Sequence, residues 1–317
     1  MSHIILIGAR QTGKSTFLKG LAAEVNGQFI SLERHAENKG LSQEELVRRL
    51  VKDITSALPE EKGITYEGTD LYEYLRITRP DYLFIDEFAD ILQHYPNILH
   101  QLRAACEERF IGQMVLADRV HPDMFMGVDV SPFNIAQTVI LPDLERDETT
   151  ELIRTGFERN DIRISDEAVE CVATHTNGHR YLTMRIGHML AQYAITNEVT
   201  EINNTHVLGA IDSFVRTTDE IHWITLKKHF ELLSGLEQRI IRGLVKGFSN
   251  EWIELMKDTP ITTEARAQMV LAGQKSKLIA YGFVREQIDN FGNSDGTFTI
   301  RNPIYAQWFE KRMEELQ

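Results

Sequence analysis

The chain has 317 residues, 42% hydrophobic and 26% charged, with a formal net charge of −13, a length that allows two or three domains with a core each. Its acidic balance argues against a protein that coats nucleic acid non-specifically, because phosphate contacts need clustered Lys and Arg. No apolar run approaches the ~18–20 residues of a bilayer span, and two cysteines without C-x-x-C spacing, Cys106 and Cys171, make no disulfide framework and read as inert thiols, so a cytoplasmic protein without a membrane partner is expected.

In chain order, "HIILIG" reads as a buried strand that runs into "ARQTGKSTFLKGL", a loop and a helix. Gly8 and Gly13-Lys14-Ser15 fit the G-x-x-x-x-G-K-[ST] spacing of a phosphate loop, whose glycines let backbone N–H groups curl around an anion. The following helix adds the positive end of its dipole. The loop residues Gly8, Ala9, Arg10, Gln11, Thr12, Gly13, Lys14, Ser15 and Thr16 are the candidate nucleotide-binding set, with Lys14 on the β- and γ-phosphates and the Ser15 hydroxyl on Mg²⁺. A second strand is read at 27–33, and a helix after the capping box Ser42 to Glu45. "YLFIDE" is a compact strand that delivers Asp86 and Glu87 to its C-terminal end. A helix is expected between Asn97 and Glu108, and two further buried strands at 112–119 and 136–143. Strands alternating with helices predict an α/β fold, a doubly wound parallel sheet with its ligand site at the carboxyl ends of the strands.

Beyond residue 144 strand runs give way to helical periodicity, read as a small helical lid over 144–212 with an approximate capping box at Ser165. From 213 onwards, helices at 234–245, 250–258 and 263–284 and a hairpin with a Gly/Asn/Asp-rich tip form a winged-helix pattern. The predicted domains are therefore 1–143, 144–212 and 213–317. From Ile221 to the end 13 Lys+Arg face 12 Asp+Glu, which leaves 21 against 35 before it, or +1 against −14. Only the terminal module could present a basic face.

A phosphate loop binds a nucleotide; the carboxylates decide whether it can be hydrolysed. Asp86 is placed to hold Mg²⁺, and Glu87 to polarise the attacking water. His175, His179 and His188 lack tight metal spacing. Tyr305, Trp308 and Phe309 read as core, and Arg266, Lys275 and Lys277 on the third helix as a solvated face or a DNA-facing one.

The order of phosphate loop, "YLFIDE", a fourth strand with a polar end, a lid carrying "TNGHRYLTMRI" and a terminal "FTIRNPIYAQWF" resembles the AAA+/STAND group of P-loop ATPases over essentially the whole chain. In layout it is similar to the origin-recognition and transposition ATPases and to signal-transducing ATPases that end in a winged helix. The resemblance implies an ATP- and Mg²⁺-dependent ATPase that changes conformation and assembles as a homo-oligomer in the ATP state, with a protein partner. It puts Asp118 and Arg119 where the γ-phosphate is sensed. Where the signalling group reads Gly-x-Pro-Tyr-Leu, this chain has Gly178-His179-Arg180-Tyr181-Leu182, so Arg180 resembles the lid arginine of the AAA+ group. Arg103, Arg109 and Arg119 are candidates to reach a neighbouring subunit's nucleotide. The first strand starts at residue 3, without the family's adenine-holding segment, which leaves adenine and guanine both open. Three readings follow: a nucleotide-controlled switch, a DNA-associated loader or transposition-type regulator whose winged helix touches DNA, and a nucleotide-binding scaffold with little hydrolysis.

Overall fold

A computed structural model of the chain describes residues 3–8, 11–32, 42–56, 70–88, 96–118, 136–217, 221–246, 278–279, 282–288 and 294–312. It forms two compact units, 1–8 with 13–142 and 9–12 with 143–317.

The first unit is built from β1 (His3–Ile7), α1 (Lys14–Glu24), β2 (Gln28–Ser31), α2 (Gln43–Ser56), α3 (Leu71–Thr78), β3 (Tyr82–Asp86), α4 (Pro96–Glu107), β4 (Gln113–Asp118) and β5 (Ala136–Ile140). The strands pair in parallel in the order β2-β3-β4-β1-β5. Alternation along each strand separates two apolar faces. Ile5, Ile7, Leu83, Ile85, Met114 and Leu116 pack with α2, α3 and α4, while Leu6, Phe84, Val115 and Ala117 pack with Leu18 and Ala22 of α1. The sheet is therefore covered by helices on both faces, as the alternating pattern predicts.

Two elements depart from expectation. Helix α3 was not expected; Asp70 caps it by accepting from the N–H groups of Tyr72 (3.0 Å) and Glu73 (3.3 Å), and Leu71, Tyr74 and Leu75 fill the core. The run at 136–143 is not a buried strand like its neighbours. It forms the outermost strand of the sheet, and among the described residues Val139 and Ile140 are exposed. The helix after Ser42 starts as predicted, with the Glu45 N–H donating to Ser42 Oγ at 3.2 Å. Cys106 is buried and its burial pushes the thiol up to about 12, while burial also raises Cys171.

The second unit comprises α5 (Arg146–Glu158), β6 (Arg163–Ile164), α6 (Asp166–Thr176), α7 (Arg180–Thr196), β7 (Glu201–Ile202), α8 (Asn204–Arg216), α9 (Ile221–Glu231), α10 (Gly235–Val245), the antiparallel pair β8 (Val284–Ile288) and β9 (Ser294–Ile300), and α11 (Pro303–Arg312). One apolar core runs through it from Ile153 to Phe309. Trp223 of α9 stacks on Trp308 of α11 at 5.2 Å, and its indole N–H donates to the Phe214 carbonyl of α8 at 2.8 Å. The boundary expected at 212/213 falls inside α8, whose buried Phe214 and Val215 lie beyond it. Ser165 caps α6 through the Ala168 N–H alone, at 3.2 Å. The helix at 250–258, and nearly all of that at 263–284 with Arg266, Lys275 and Lys277, lie outside the described residues. No helix among the described residues is long and apolar enough to cross a membrane.

Gly178, between α6 and α7, shows why one position admits no side chain. It lies at φ 74°, and a Cβ there would sit 2.1 Å from the Leu144 carbonyl oxygen, while its own carbonyl accepts from the Leu144 N–H at 2.9 Å. The left-handed backbone alone costs an L-residue roughly 1–2 kcal/mol, and the backbone clash adds to it. Gly178→Ala is expected to lower the melting temperature by more than about 4 °C, read by circular dichroism; melting within a degree of the parent would contradict this account.

Candidate nucleotide site

The site grows from the carboxyl ends of three neighbouring strands. Ile7 is in register with Asp118, and Asp86 with Ala117, so the ends of β1, β4 and β3 form a row. The Gly8 N–H donates to the Asp118 carbonyl at 3.3 Å. Because β4 lies between β1 and β3, Asp86 stands two strand spacings, about 10 Å, from the start of the loop. That gap suits a carboxylate acting through a hydrated metal ion rather than one touching the loop.

Chain direction explains the loop. Gly13 caps α1 at φ 92°, a left-handed conformation open to glycine, and contributes no side chain to the helix start. The first turn of α1 carries no acidic residue; it carries Lys14 instead, 8% exposed. A buried ammonium at the positive end of a helix is electrostatically unfavourable by itself. It is the arrangement expected where an anion is to be held, and it is the feature that fits these residues to a nucleotide phosphate. Lys14 Nζ donates to the Gly8 carbonyl at 2.7 Å, which closes the loop on itself across six residues. Ser15 is half-buried and Thr16 exposed on the same turn.

Asp86 is 2% exposed and Glu87 exposed. The Glu87 N–H donates both to the Ala117 carbonyl (2.8 Å) and to Asp86 Oδ1 (3.1 Å), and Glu87 adopts φ 56°. The chain thus turns sharply at the end of β3, keeping one carboxylate buried in the row and presenting the next outside it. Asp118, 4% exposed, stands between loop and Asp86. Among the predicted residues Ala9, Arg10 and Arg119 lie outside the described residues. Arg103 pairs with Glu107 at 2.8 Å on its own helix, and Arg109 is exposed at φ 59°.

Topology and loop together point to the P-loop nucleotide-binding fold. Residues 2–118 match the family described as AAA domain. The AAA domain match spans the phosphate loop, Asp86, Glu87 and Asp118, all the described carboxylates of the row. Among solved structures the chain is similar to the Walker-type ATPase PABY2304 of Pyrococcus abyssi, with a TM-score of 0.70 and 17% identity, over 97% of this chain and 90% of that one. It is similar also to the RuvB Holliday junction branch migration motor of Thermotoga maritima, with a TM-score of 0.51 and 15% identity, over 95% of this chain and 84% of that one. These likenesses are of fold alone, and they extend beyond the residues of the AAA domain match. No curated protein matches the chain in sequence.

Within the second unit, Arg180 at the start of α7 donates from Nη1 to the Thr12 carbonyl at 2.7 Å. One residue bound to the loop escaped sequence reasoning. His222 of α9, 4% exposed, donates from Nδ1 to Gln11 Oε1. No sequence signal marks it, since its ring neighbours Tyr181, Trp223 and Tyr305 are scattered over more than a hundred positions. The histidines of α6 and α7 and the turn between them have separate environments: His175 bonds the Cys171 carbonyl at 2.8 Å, His188 is exposed, and His179 is fully buried against the Tyr305 hydroxyl at 3.2 Å. Burial, with the nearby Arg301 charge, holds His179 well below the usual imidazole range, so it is neutral.

Proposed function

We propose that the chain is a Mg²⁺-dependent ATPase that works as a nucleotide-controlled switch. The observation that carries this reading is the buried Lys14 at the N-terminus of α1, bonded to Gly8 just past the end of β1, together with the buried Asp86 that ends β3 in the same row of strand ends, with Glu87 next in the chain. Lys14, the loop amides and Ser15 would hold the phosphates, Ser15 and Asp86 the metal, and Glu87 would orient and deprotonate the attacking water. Mg²⁺ held by Ser15 and Asp86 would supply positive charge against the phosphates. Asp118, and Arg119 next to it, are proposed to sense the terminal phosphate. In this reading residues 144–212 act as a helical lid and 213–317 as a winged-helix module that engages a protein partner, with the hairpin β8–β9 as its wing. Mg²⁺-dependent phosphate release from ATP by the purified chain tests the reading, and its absence with ATP bound would favour the scaffold.

ATP is expected to shift the chain from monomer to multimer, by analogy with the AAA+ group, with Arg103, Arg109 or Arg119 approaching the neighbour's nucleotide. Light scattering at micromolar protein decides this: an unchanged monomer mass with ATP would rule it out. The same sample with duplex DNA addresses the DNA-associated reading. Because the terminal module carries a net charge of only +1 and its wing holds Glu286, Asp289 and Asp295, binding is expected to be non-specific, with Kd of ~10⁻⁴–10⁻⁶ M at physiological salt. Nanomolar, sequence-selective binding would install that reading instead.

A further inference from the structure

The tip of the phosphate loop, residues 9–12, groups with the second unit, and both of its described residues are hydrogen-bonded there. Arg180 Nη1 holds the Thr12 carbonyl at 2.7 Å, and the His222 imidazole holds the Gln11 side chain. The two grips share a support. Tyr181, next to Arg180 on α7, stacks on the His222 ring at 4.8 Å and 21°, while Trp223 meets it edge-on at 4.8 Å and Tyr305 lies 5.5 Å away. A ring enclosed in this way has little freedom to turn, so its Nδ1 stays aimed at the loop.

The loop needs such support. Gln11 sits at φ 63°, a left-handed conformation that a non-glycine residue holds only at a cost. In a planar trans peptide the carbonyl and the following N–H point in opposite directions. Fixing the Thr12 carbonyl on Arg180 therefore fixes the Gly13 N–H on the other side, ahead of the helix. Donors fixed before an anion arrives need no ordering when it binds.

We propose that Arg180 and His222 are positioning residues that preset the tip of the phosphate loop, Arg180 through the Thr12 carbonyl and His222 through the Gln11 side chain. This rests on the reading of residues 8–16 as an ATP site and adds to it a link from that site to the aromatic cluster around Trp223. A residue that touches the terminal phosphate discriminates ATP from ADP; one that presets the loop supports both alike.

The test titrates the full chain with Mg-ATP and with Mg-ADP by calorimetry. Gln11→Ala and His222→Phe are each expected to raise both Kd values about fivefold, the size of one neutral hydrogen bond. The double variant should be no weaker than the weaker single. Arg180→Ala should weaken ATP and ADP by the same factor, with Arg180→Lys, which keeps one donor, recovering most of the loss. Gln11 is half-buried on a loop, so Gln11→Ala keeps the test decisive if His222→Phe fails to fold. Tight wild-type binding with Kd unchanged in Gln11→Ala, or additive losses in the double variant, overturns the proposal. Loss of ATP binding alone in Arg180→Ala overturns its part by assigning that residue to the γ-phosphate. A wild type that binds neither nucleotide overturns the reading of the site itself, and the clasp with it.

Discussion

Lys14→Ala is expected to weaken ATP binding by on the order of 10²-fold or more, whereas Glu87→Gln is expected to keep the ATP Kd within about threefold and to slow phosphate release by roughly 10²–10⁴-fold. The two residues differ in what they can touch. Lys14 is buried in the first turn of α1, a turn that itself carries no acidic residue, and its Nζ lies on the Gly8 carbonyl inside the loop. An ammonium held in that position acts on phosphates already present in the ground state. Glu87 is exposed just past the end of β3, its N–H anchored to Ala117 and to Asp86. Conversion of its carboxylate to the isosteric amide removes proton-accepting power without altering shape. Calorimetry with Mg-ATP, paired with a phosphate-release assay, separates the two; equal loss of binding in both variants would contradict these roles.

The second large effect concerns stability. Asp143→Ala is expected to destabilise the second unit by about 3 kcal/mol, because it leaves a buried guanidinium without its charge partner. The Arg301 side chain is 5% exposed and that of Asp143 19%; Arg301 Nε donates to Asp143 Oδ2 at 3.1 Å and its Nη2 to Oδ1, a two-pronged pair. Around it, the Arg301 carbonyl accepts from Asn177 Nδ2 at 2.8 Å and its N–H donates to the Phe283 carbonyl at 3.0 Å. The pair therefore ties the start of the unit to the exit of the hairpin and to the C-terminal cap of α6. The melting temperature should fall by on the order of 10 °C. Asp143→Leu combined with Arg301→Met, which removes both charges and keeps the volume, should melt higher than Asp143→Ala. If the double variant melts lower, the pair contributes more than its desolvation costs.

What could be read in advance divides along physical lines. β1, β3 and β4 were legible because strands covered on both faces are continuous apolar runs. The phosphate loop and the carboxylates at 86 and 87 were legible because their chemistry demands fixed spacing next to such a strand. Helix α3 was missed although Asp70 marks its start, since eight residues carry too few turns for a clear period. The run at 136–143 looked buried because apolar content alone does not say whether a strand is central or at an edge. Helix α9 is hidden for a different reason: His222 and His229 are buried while Ile221 and Ile224 are exposed, so polarity does not mark its buried face. The grips on Gln11 and Thr12 come from residues more than 160 positions away, a proximity that only tertiary packing creates.

The continuous core between α5 and α11 bears on how this chain could have been assembled by recombination. A terminal module joined at residue 213 would leave Phe214 and Val215 on one side of the joint and the rest of α8 on the other. It would also separate Arg301 from Asp143 and Asn177, and Lys311 from Asp212. Exchange of this region between related chains is therefore expected to succeed only when everything from Asp143 onward is inherited together, with Asp143, Asn177, Asp212, Arg301 and Lys311 travelling as a set. A chimera joined at 212/213 should accumulate in inclusion bodies, and one joined at 142/143 should remain soluble.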